Sequence, residues 1–339
     1  MDFELSDDQV ALREAAQALL DDLAAPTRVR AHMTSGALHD EKLWAAMLDQ
    51  GWLVVELPGA DGGLGLSFVE AMVLAEQVGR HVAPAPFHQT LLALRATRGT
   101  TWAERIQEGV LACVAWRSAP DQPVLVPYAP AADLAVVASV DGVVVHELSG
   151  SSAIAAESAM DLTRCVGWLA ADLPVAGEVG GPGEAAELLD RGATATAAET
   201  LGAADRVLAM AVEHAKDRVQ FGKPIGSFQA VKHRCADMLV DVEGMRSTVY
   251  HAAWSLAAGD AGASVAASTA KVWCADAGRR VMASGLQVHG GIGFTWEHDL
   301  HLFLKRAQLD QVTFGDAPFH RDRLADLLRT SLLAGEPIV

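Results

Sequence analysis

The segment Arg218-Val219-Gln220-Phe221-Gly222, followed by Gln229, carries residue types that can hold a phosphate-bearing ligand. A guanidinium such as that of Arg218 can bind phosphate oxygens in a bidentate manner, and the amide of Gln229 both donates and accepts hydrogen bonds. The ring of Phe221 offers an apolar wall. Taken singly, Arg218 could equally be a cation at a helix C-terminus and Gln229 a neighbour of a helix cap.

A second segment, Gln287-Val288-His289-Gly290-Gly291-Ile292-Gly293, has the composition of a close-approach turn. Glycine has no Cβ, so the backbone at Gly290 and Gly291 can lie directly against a ligand, with the amide of Gln287 beside it. The run is no dinucleotide fingerprint, because no β-strand precedes it and the glycine spacing differs. A plain interhelical turn remains the alternative for these glycines when they are considered alone.

The elements that must position these segments fall into three zones. Residues 1–109 show helical periodicity with a glycine-rich break. Residues 110–181 contain short β-branched runs separated by Pro, Gly, Asp and Ser, which predict a small antiparallel β-domain that ends in a Gly/Pro-rich linker at 177–183. Residues 182–339 return to helices, and the two ligand-binding segments lie in this zone.

The C-terminal zone is predicted to be a helical bundle. From Phe228 to Leu256 the apolar residues recur at steps of three and four, which is typical of a long helix that packs in a bundle or at a subunit interface. Two more long helices are expected at about 187–218 and 262–284, on either side of it.

Composition excludes several classes of protein. The 339 residues carry a formal net charge of −17, which argues against a nucleic-acid surface, since phosphate binding needs clustered Lys and Arg. The acidic start lacks the layout of a secretory signal, and no apolar run is long enough for a membrane span, so a cytoplasmic protein is expected. The four cysteines are widely separated and are expected to be reduced thiols.

The N-terminal zone adds further motifs in order: Leu43-Trp44, Gly51-Trp52, Pro58, Gly62-Gly63-Leu64-Gly65, Glu76 and Gly79-Arg80. Together with the two C-terminal segments they resemble the acyl-CoA dehydrogenase family over nearly the whole chain. The resemblance implies a mainly α fold with a small central β-domain, in three domains: an N-terminal helical domain (1–109), a reduced β-barrel (110–181) and a C-terminal four-helix bundle (182–339). It implies FAD as cofactor and an acyl-CoA as substrate.

The same resemblance assigns the ligand-binding residues. It gives the adenine-side contacts of FAD to Arg218, Phe221, Gln229, Gln287, Gly290 and Gly291, and in the family these groups reach across a subunit boundary. No metal is expected, since His298 and His301, three residues apart, lack the spacing of a zinc helix and further ligands.

The catalytic base of the family is where this chain departs from the pattern. Dehydrogenation needs a base to take the α-proton, and many members use a Glu in a Tyr-Glu-Gly-Thr-like segment; here Phe314 occupies that slot. A second base position lies near the start of the first long C-terminal helix, just before an Arg. Asp190 is the candidate base there and Arg191 the candidate orienting residue, with a solvated acidic residue near a helix N-terminus as the equally weighted alternative.

The middle zone also departs from the pattern, because the loop that holds the flavin ring in family members has no counterpart between residues 112 and 180. The chain therefore resembles the shortened subunit of heterotetrameric bacterial enzymes, including those that act on steroid side-chain CoA thioesters. That resemblance implies a second, fuller subunit in an α2β2 assembly and an electron-transfer flavoprotein as acceptor. A catalytically silent scaffold subunit and an acyl-CoA oxidase are the alternatives.

Overall fold

The computed structural model describes residues 4–148 and 153–335. The N-terminal helices are α1 Asp7–Leu23, α2 Pro26–Ser35, α3 Glu41–Asp49, α4 Phe68–Arg80, α5 Phe87–Ala96 and α6 Thr101–Gln107. The strands that follow are β1 Ala112–Trp116, β2 Val124–Pro127, β3 Leu134–Ser139, β4 Gly142–Glu147, β5 Val166–Leu169 and β6 Gly177–Gly180. The C-terminal elements are α7 Pro182–Asp217, β7 Val219–Gln220, β8 Lys223–Pro224, α8 Gln229–Ala258, α9 Ala263–His289, α10 Leu300–Val312 and α11 Ala317–Ala334.

Two of the N-terminal helices start at capping boxes, in which a serine and the residue three positions later satisfy each other's backbone N–H groups. At the start of α1, Ser6 Oγ accepts a hydrogen bond from the backbone of Gln9, whose side chain accepts one from Ser6. At α4, Ser67 and Glu70 make the equivalent pair. Local sequence therefore fixes where these helices begin.

Helix α4 crosses α7 with the two backbones in contact. A Cβ added to Gly79 would stand 1.9 Å from the carbonyl oxygen of Glu199, and one added to Gly202 would stand 1.8 Å from that of Glu76. Only residues without a side chain fit at this crossing. The glycine of the Gly79-Arg80 motif therefore joins the N-terminal helices to the C-terminal bundle.

The central sheet is mixed, which corrects the prediction of an antiparallel β-domain. Its strand order is β1-β3-β4-β6; β3 pairs antiparallel with β4 and β4 with β6, but β1 and β3 run parallel. Strand β2 lies outside this sheet and pairs with β5. The connection between β1 and β3 therefore passes through another sheet, and β3 runs in the same direction as β1. The β-branched runs predict where the strands lie but not which strands pair or in which direction.

The expected linker at 177–183 is also not found, because its residues form β6 and the first turn of α7. The glycines there serve close packing. A Cβ on Gly177 would stand 2.4 Å from the ring of Trp102, and one on Gly180 would stand 2.5 Å from the Cβ of Glu184. Pro182 occupies the first helical position, where a missing N–H costs nothing.

Helices α7, α8 and α9 form the core of the C-terminal bundle, and α10 and α11 pack against α7 and α9. The apolar pattern predicted for α8 is buried from Met238 to Ala253, while its first two turns stay largely at the surface. Among the residues that the structure describes, no helix has the length and apolar character to cross a bilayer.

Candidate functional site

The hairpin of β7 and β8 presents the first predicted ligand-binding segment at the end of α7. Arg218 is the C-cap residue of α7, and Gln229 is the first residue of α8. Phe221 lies at the tip of the hairpin with φ of +52°, in the left-handed region that a phenylalanine rarely adopts, and its side chain is 90% exposed. Its ring meets that of Phe228 edge-on, with centroids 6.1 Å apart.

The second segment lies at the end of α9. Gln287 is exposed on the last turn of the helix, and Gly290 ends it with φ of +64° before a 3-10 turn that includes Gly291. A Cβ on either glycine would meet nothing within 4 Å. The glycines therefore border open space.

The structure brings both segments to the same end of the bundle. His214, one turn before Arg218, stacks on His289, the residue before Gly290, with ring centroids 4.6 Å apart. The six residues predicted to bind one ligand are thus grouped around one edge of the molecule, although they are up to 73 positions apart in sequence.

This edge is unusually apolar for a surface. In addition to Phe221, Phe294 is 74% exposed, and Val219, Ile292 and Trp296 are each more than half exposed. Within the described ranges, Arg218 makes no ion pair. An exposed guanidinium, a projecting ring and bare glycine backbone are a donor set that fits a dinucleotide tail, and a patch of this kind is typical of an interaction site.

The slot expected for the catalytic base contains a buried phenyl ring. Phe314, with φ of +58°, is 4% exposed, and its ring lies against α7 at Gly192, where an added Cβ would stand 2.3 Å away. The backbone oxygen of Phe314 bonds to the imidazole of His320 at 2.8 Å. Asp316, which follows, caps α11 by accepting a hydrogen bond from the backbone of Phe319 at 2.9 Å. The side chains of this segment therefore serve packing and helix capping.

Asp190 is buried on α7, where both of its carboxylate oxygens have partners. Arg323 of α11 donates to Oδ1 at 2.5 Å, and the hydroxyl of Ser264 donates to Oδ2 at 2.6 Å. Gly192, the residue that faces Phe314, is turned from Asp190 by about 200° around the helix axis, since each residue turns by about 100°. Asp190 therefore faces α9 and α11, on a different side of α7 from Gly192.

Arg191 is likewise held by ion pairs. Its guanidinium donates to Glu56 and to Glu187, at 2.8 Å each, and lies 4.5 Å above the ring centroid of Phe68. It therefore ties α7 to the N-terminal helices, and none of these bonds is to Asp190.

Comparison with known proteins identifies the chain. Models of the N-terminal and C-terminal domains of acyl-CoA dehydrogenase match residues 6–100 and 180–328. The acyl-CoA dehydrogenase IpdE2 of Mycolicibacterium smegmatis is 36% identical over 308 residues, which cover 89% of this chain and 93% of that protein. The chain belongs to the acyl-CoA dehydrogenase family. The resemblance inferred from sequence and the predicted cofactor of the family, FAD, are confirmed.

Solved structures of acyl-CoA dehydrogenases confirm the fold. The ChsE4-ChsE5 complex of Mycobacterium tuberculosis includes a chain that is 27% identical with a TM-score of 0.86; the match covers 97% of this chain and 99% of that one. A variant of the Tcur3481-Tcur3483 steroid ACAD gives the same TM-score at 28% identity, with 96% and 99% covered. Butyryl-CoA dehydrogenase of Megasphaera elsdenii, at 22% identity and a TM-score of 0.82, covers 97% and 100% and shares the fold. The mainly helical architecture with a small central sheet region is therefore that of the family.

Sequence reasoning missed a buried ionic cluster that joins the β-domain to the C-terminal bundle. Arg164, just before β5, donates to Asp310 of α10 at 2.5 Å and to Glu199 of α7 at 3.5 Å. Arg306 of α10 donates to the same Glu199 and, at 2.9 Å, to Asp161. All five side chains are almost wholly buried, so each buried charge is stabilised by the opposite charges around it.

The pKa values in this cluster differ sharply. Burial would raise the pKa of Glu199, but Arg164 and Arg306 hold it at about 2. Burial raises the pKa of Asp310 to about 7, outweighing Arg164, and Oδ2 of Asp310 lacks a hydrogen-bond partner within the described residues. Burial lowers the pKa of His88, which lies 3.3 Å from Glu199, to about 4. The spacing of Arg306 and Asp310, four apart on α10, was the only sequence signal for this cluster.

No group of three or more potential metal ligands is found in residues 4–148 and 153–335. His301 instead stacks on Trp296 with centroids 4.6 Å apart.

Proposed function

We propose that this chain is a subunit of a heteromeric, FAD-dependent acyl-CoA dehydrogenase that binds the adenine side of a FAD whose flavin ring is held mainly by a second, related subunit. The observation that carries the proposal is the contrast between the two ends of the expected site. The residues assigned to the nucleotide tail are exposed and grouped at one edge, whereas the slot for the base is filled by Phe314.

The exposed edge supports a site that is shared between subunits. Arg218 is available to bind pyrophosphate oxygens, the ring of Phe221 can cover the adenine, and Gly290 and Gly291 leave space for close backbone contact. The surrounding apolar side chains would be buried by the partner, which accounts for their exposure in the single chain. When bound, FAD would supply the acceptor for the hydride of the dehydrogenation.

The filled slot supports a division of labour. Phe314 cannot accept a proton, and the carboxylate of Asp190 is bonded to Arg323 and Ser264. We infer that the α-proton is taken by a carboxylate of the second subunit. For the base, this chain has two possible roles: a subunit with a base at Asp190, or one that completes the partner's FAD site without a base of its own. The geometry favours the second role.

The partner and substrate classes follow from relatives. The structures most similar in shape include a two-component complex, ChsE4-ChsE5, and a steroid ACAD, Tcur3481-Tcur3483. We propose the same kind of assembly here, an α2β2 tetramer, with a CoA thioester of a steroid-derived side chain as substrate and an electron-transfer flavoprotein as acceptor.

The test is to produce the chain alone and together with a related second subunit, and to count FAD per assembly. We expect little FAD on the chain alone and one FAD per pair of unlike subunits in the complex. Full FAD occupancy with turnover in a homo-oligomer of this chain would contradict the proposal.

A matched pair of variants assigns the nucleotide contact within the complex. Arg218→Ala should lower FAD occupancy without preventing assembly, because it removes the cation that faces the pyrophosphate. Arg329→Ala removes an exposed arginine on α11 and should retain FAD. Equal FAD occupancy in both variants would remove Arg218 from the site.

A further inference from the structure

Three histidine rings form a stack between the two segments assigned to FAD. The ring of His289 lies 4.6 Å from that of His214, with the planes 27° apart, and 4.6 Å from that of His298, at 62°. His214 belongs to α7, His289 is the last residue of α9, and His298 lies between α9 and α10. The stack therefore connects the end of α7 to the end of α9 and to the segment that follows it.

Hydrogen bonds orient two of the rings. Nδ1 of His289 donates to the carbonyl oxygen of Gly285 at 2.8 Å, inside the last turns of α9. Nδ1 of His298 accepts from the backbone N–H of Leu300 at 3.2 Å, so its proton is on Nε2. Neutral rings can pack face to face or edge to face without charge repulsion.

The stack spans the gap between the two contact segments. His214 precedes Arg218 by one helical turn, and His289 directly precedes Gly290 and Gly291. His289 is buried, so its ring acts as a spacer between the end of α7 and the turn after α9.

We propose that His214, His289 and His298 are positioning residues, which hold the Arg218 hairpin at a fixed distance from the Gly290–Gly291 turn so that both meet one FAD. The inference rests on the proposed function and adds to it a device that couples the two halves of the nucleotide site. None of the three rings needs to touch FAD for this role.

The charges around the stack make the device sensitive to acid. Burial first, and then the neighbouring histidines, lower the pKa of His214 and of His298. The groups that face these two rings are His289, Arg218, Asp217, Asp299, Arg30 and His301. Because the native pKa is depressed, the rings are neutral above about pH 6.5, and the contribution of the stack is lost as the pH falls below that value. Protonation would place like charges on adjacent rings and separate the two segments.

The experiment measures FAD release from the two-subunit complex between pH 5.5 and 8. His289→Ala removes the spacer and should weaken FAD retention about tenfold at pH 7.5, since the two segments are no longer pre-organised. His289→Phe and His214→Phe keep a stacked ring that cannot be protonated. Both should retain FAD at pH 7.5 and lose less of it than the wild type at pH 5.5.

Two controls separate this proposal from the one on which it rests. His251→Ala, on α8, removes a histidine that is outside the stack and should behave as the wild type. If Arg218→Ala loses FAD but His289→Ala does not, the positioning role is wrong and the proposed function stands. If neither variant affects FAD, the proposed function itself fails.

A readout on the chain without FAD completes the test. By NMR, the ring protons of His214 and His298 should titrate below the usual histidine range in the wild type and should shift toward that range in His289→Phe. Independent, unchanged titration in that variant, or a wild-type pH profile of FAD release in His214→Phe, would overturn the inference.

Discussion

The ring of Phe314 and the backbone of Gly192 are in direct contact, with no room for a Cβ between them. Phe314, which lies in the slot where the family resemblance predicts a catalytic glutamate, is here part of the packing between α7 and the loop before α11. The contact accounts for the glycine in α7.

Gly192→Ala should destabilise the protein by about 1 to 3 kcal/mol, because the added methyl group overpacks the contact with Phe314. Denaturant unfolding measures the change. Gly183→Ala is the matched control: a Cβ there meets nothing within 4 Å, and in the same helix it should be neutral or stabilising. Combining Gly192→Ala with Phe314→Leu should recover part of the loss, and strict additivity of the two changes would contradict the proposed contact.

Asp190→Asn should lower stability while flavin reduction by substrate continues. The carboxylate stabilises Arg323, and losing its charge leaves that guanidinium partly buried and unpaired, at a cost of up to about 3 kcal/mol. Anaerobic reduction of FAD in the two-subunit complex, followed by absorbance, gives the catalytic readout.

The matched variant for Asp190 is Arg323→Gln, which breaks the same pair from the other side. A double-mutant cycle should give a positive coupling energy between the two residues. If Asp190→Asn abolishes flavin reduction with FAD still bound, while Arg323→Gln does not, Asp190 is the base after all.

The long helices could be predicted because their evidence is local. The steps of three and four from Phe228 to Leu256 match α8, and the predicted helix at 262–284 matches most of α9. The wrong prediction at 177–183 has a different cause. Glycine and proline are common in linkers, but Gly177 and Gly180 are needed here because Trp102 and Glu184 pack against the backbone. Such contacts cannot be inferred from a single stretch of sequence.

Parts of the site could be predicted for the same reason, and others could not. Motifs located Arg218 and Gly290, and the structure places both at one end of the bundle. The partners of Asp190 were not foreseeable, since Arg323 is 133 positions away and arginines are common on helix surfaces. The parallel pairing of β1 with β3 was missed because strand propensity carries no direction.

Phe221→Gly should have opposite effects on the stability of the chain and on cofactor binding. Its positive φ costs roughly 1 kcal/mol, which Phe221→Gly would relieve in the chain alone. The same substitution removes an aromatic wall from the proposed adenine contact, so FAD should dissociate faster from the complex. Thermal unfolding of the chain and FAD fluorescence of the complex are the two measurements.

The control for Phe221 is Val140→Ser, which removes an exposed apolar side chain from the turn between β3 and β4. It should leave FAD binding unchanged. Equal FAD release from wild type and Phe221→Gly would exclude the ring from the site.

The contribution of Asp310 to the free energy of unfolding should fall as the pH rises from about 4 to 7. Burial raises its pKa in the native state to about 7, so over this interval the folded chain keeps a proton that the unfolded chain has lost. Asp310→Asn cannot titrate, and the difference in unfolding free energy between wild type and variant should therefore fall with pH, by at most about 1.4 kcal/mol per pH unit. Glu199 and His88 contribute in the opposite sense, and taking the difference removes the part of their contributions that both chains share. Urea unfolding of wild type, Asp310→Asn and the exposed-loop control Asp121→Asn at several pH values measures this difference.

A difference that stays constant or grows across this interval would mean that Asp310 is ionised in the native cluster. The attraction of Arg164, rather than burial, would then determine the charge of Asp310.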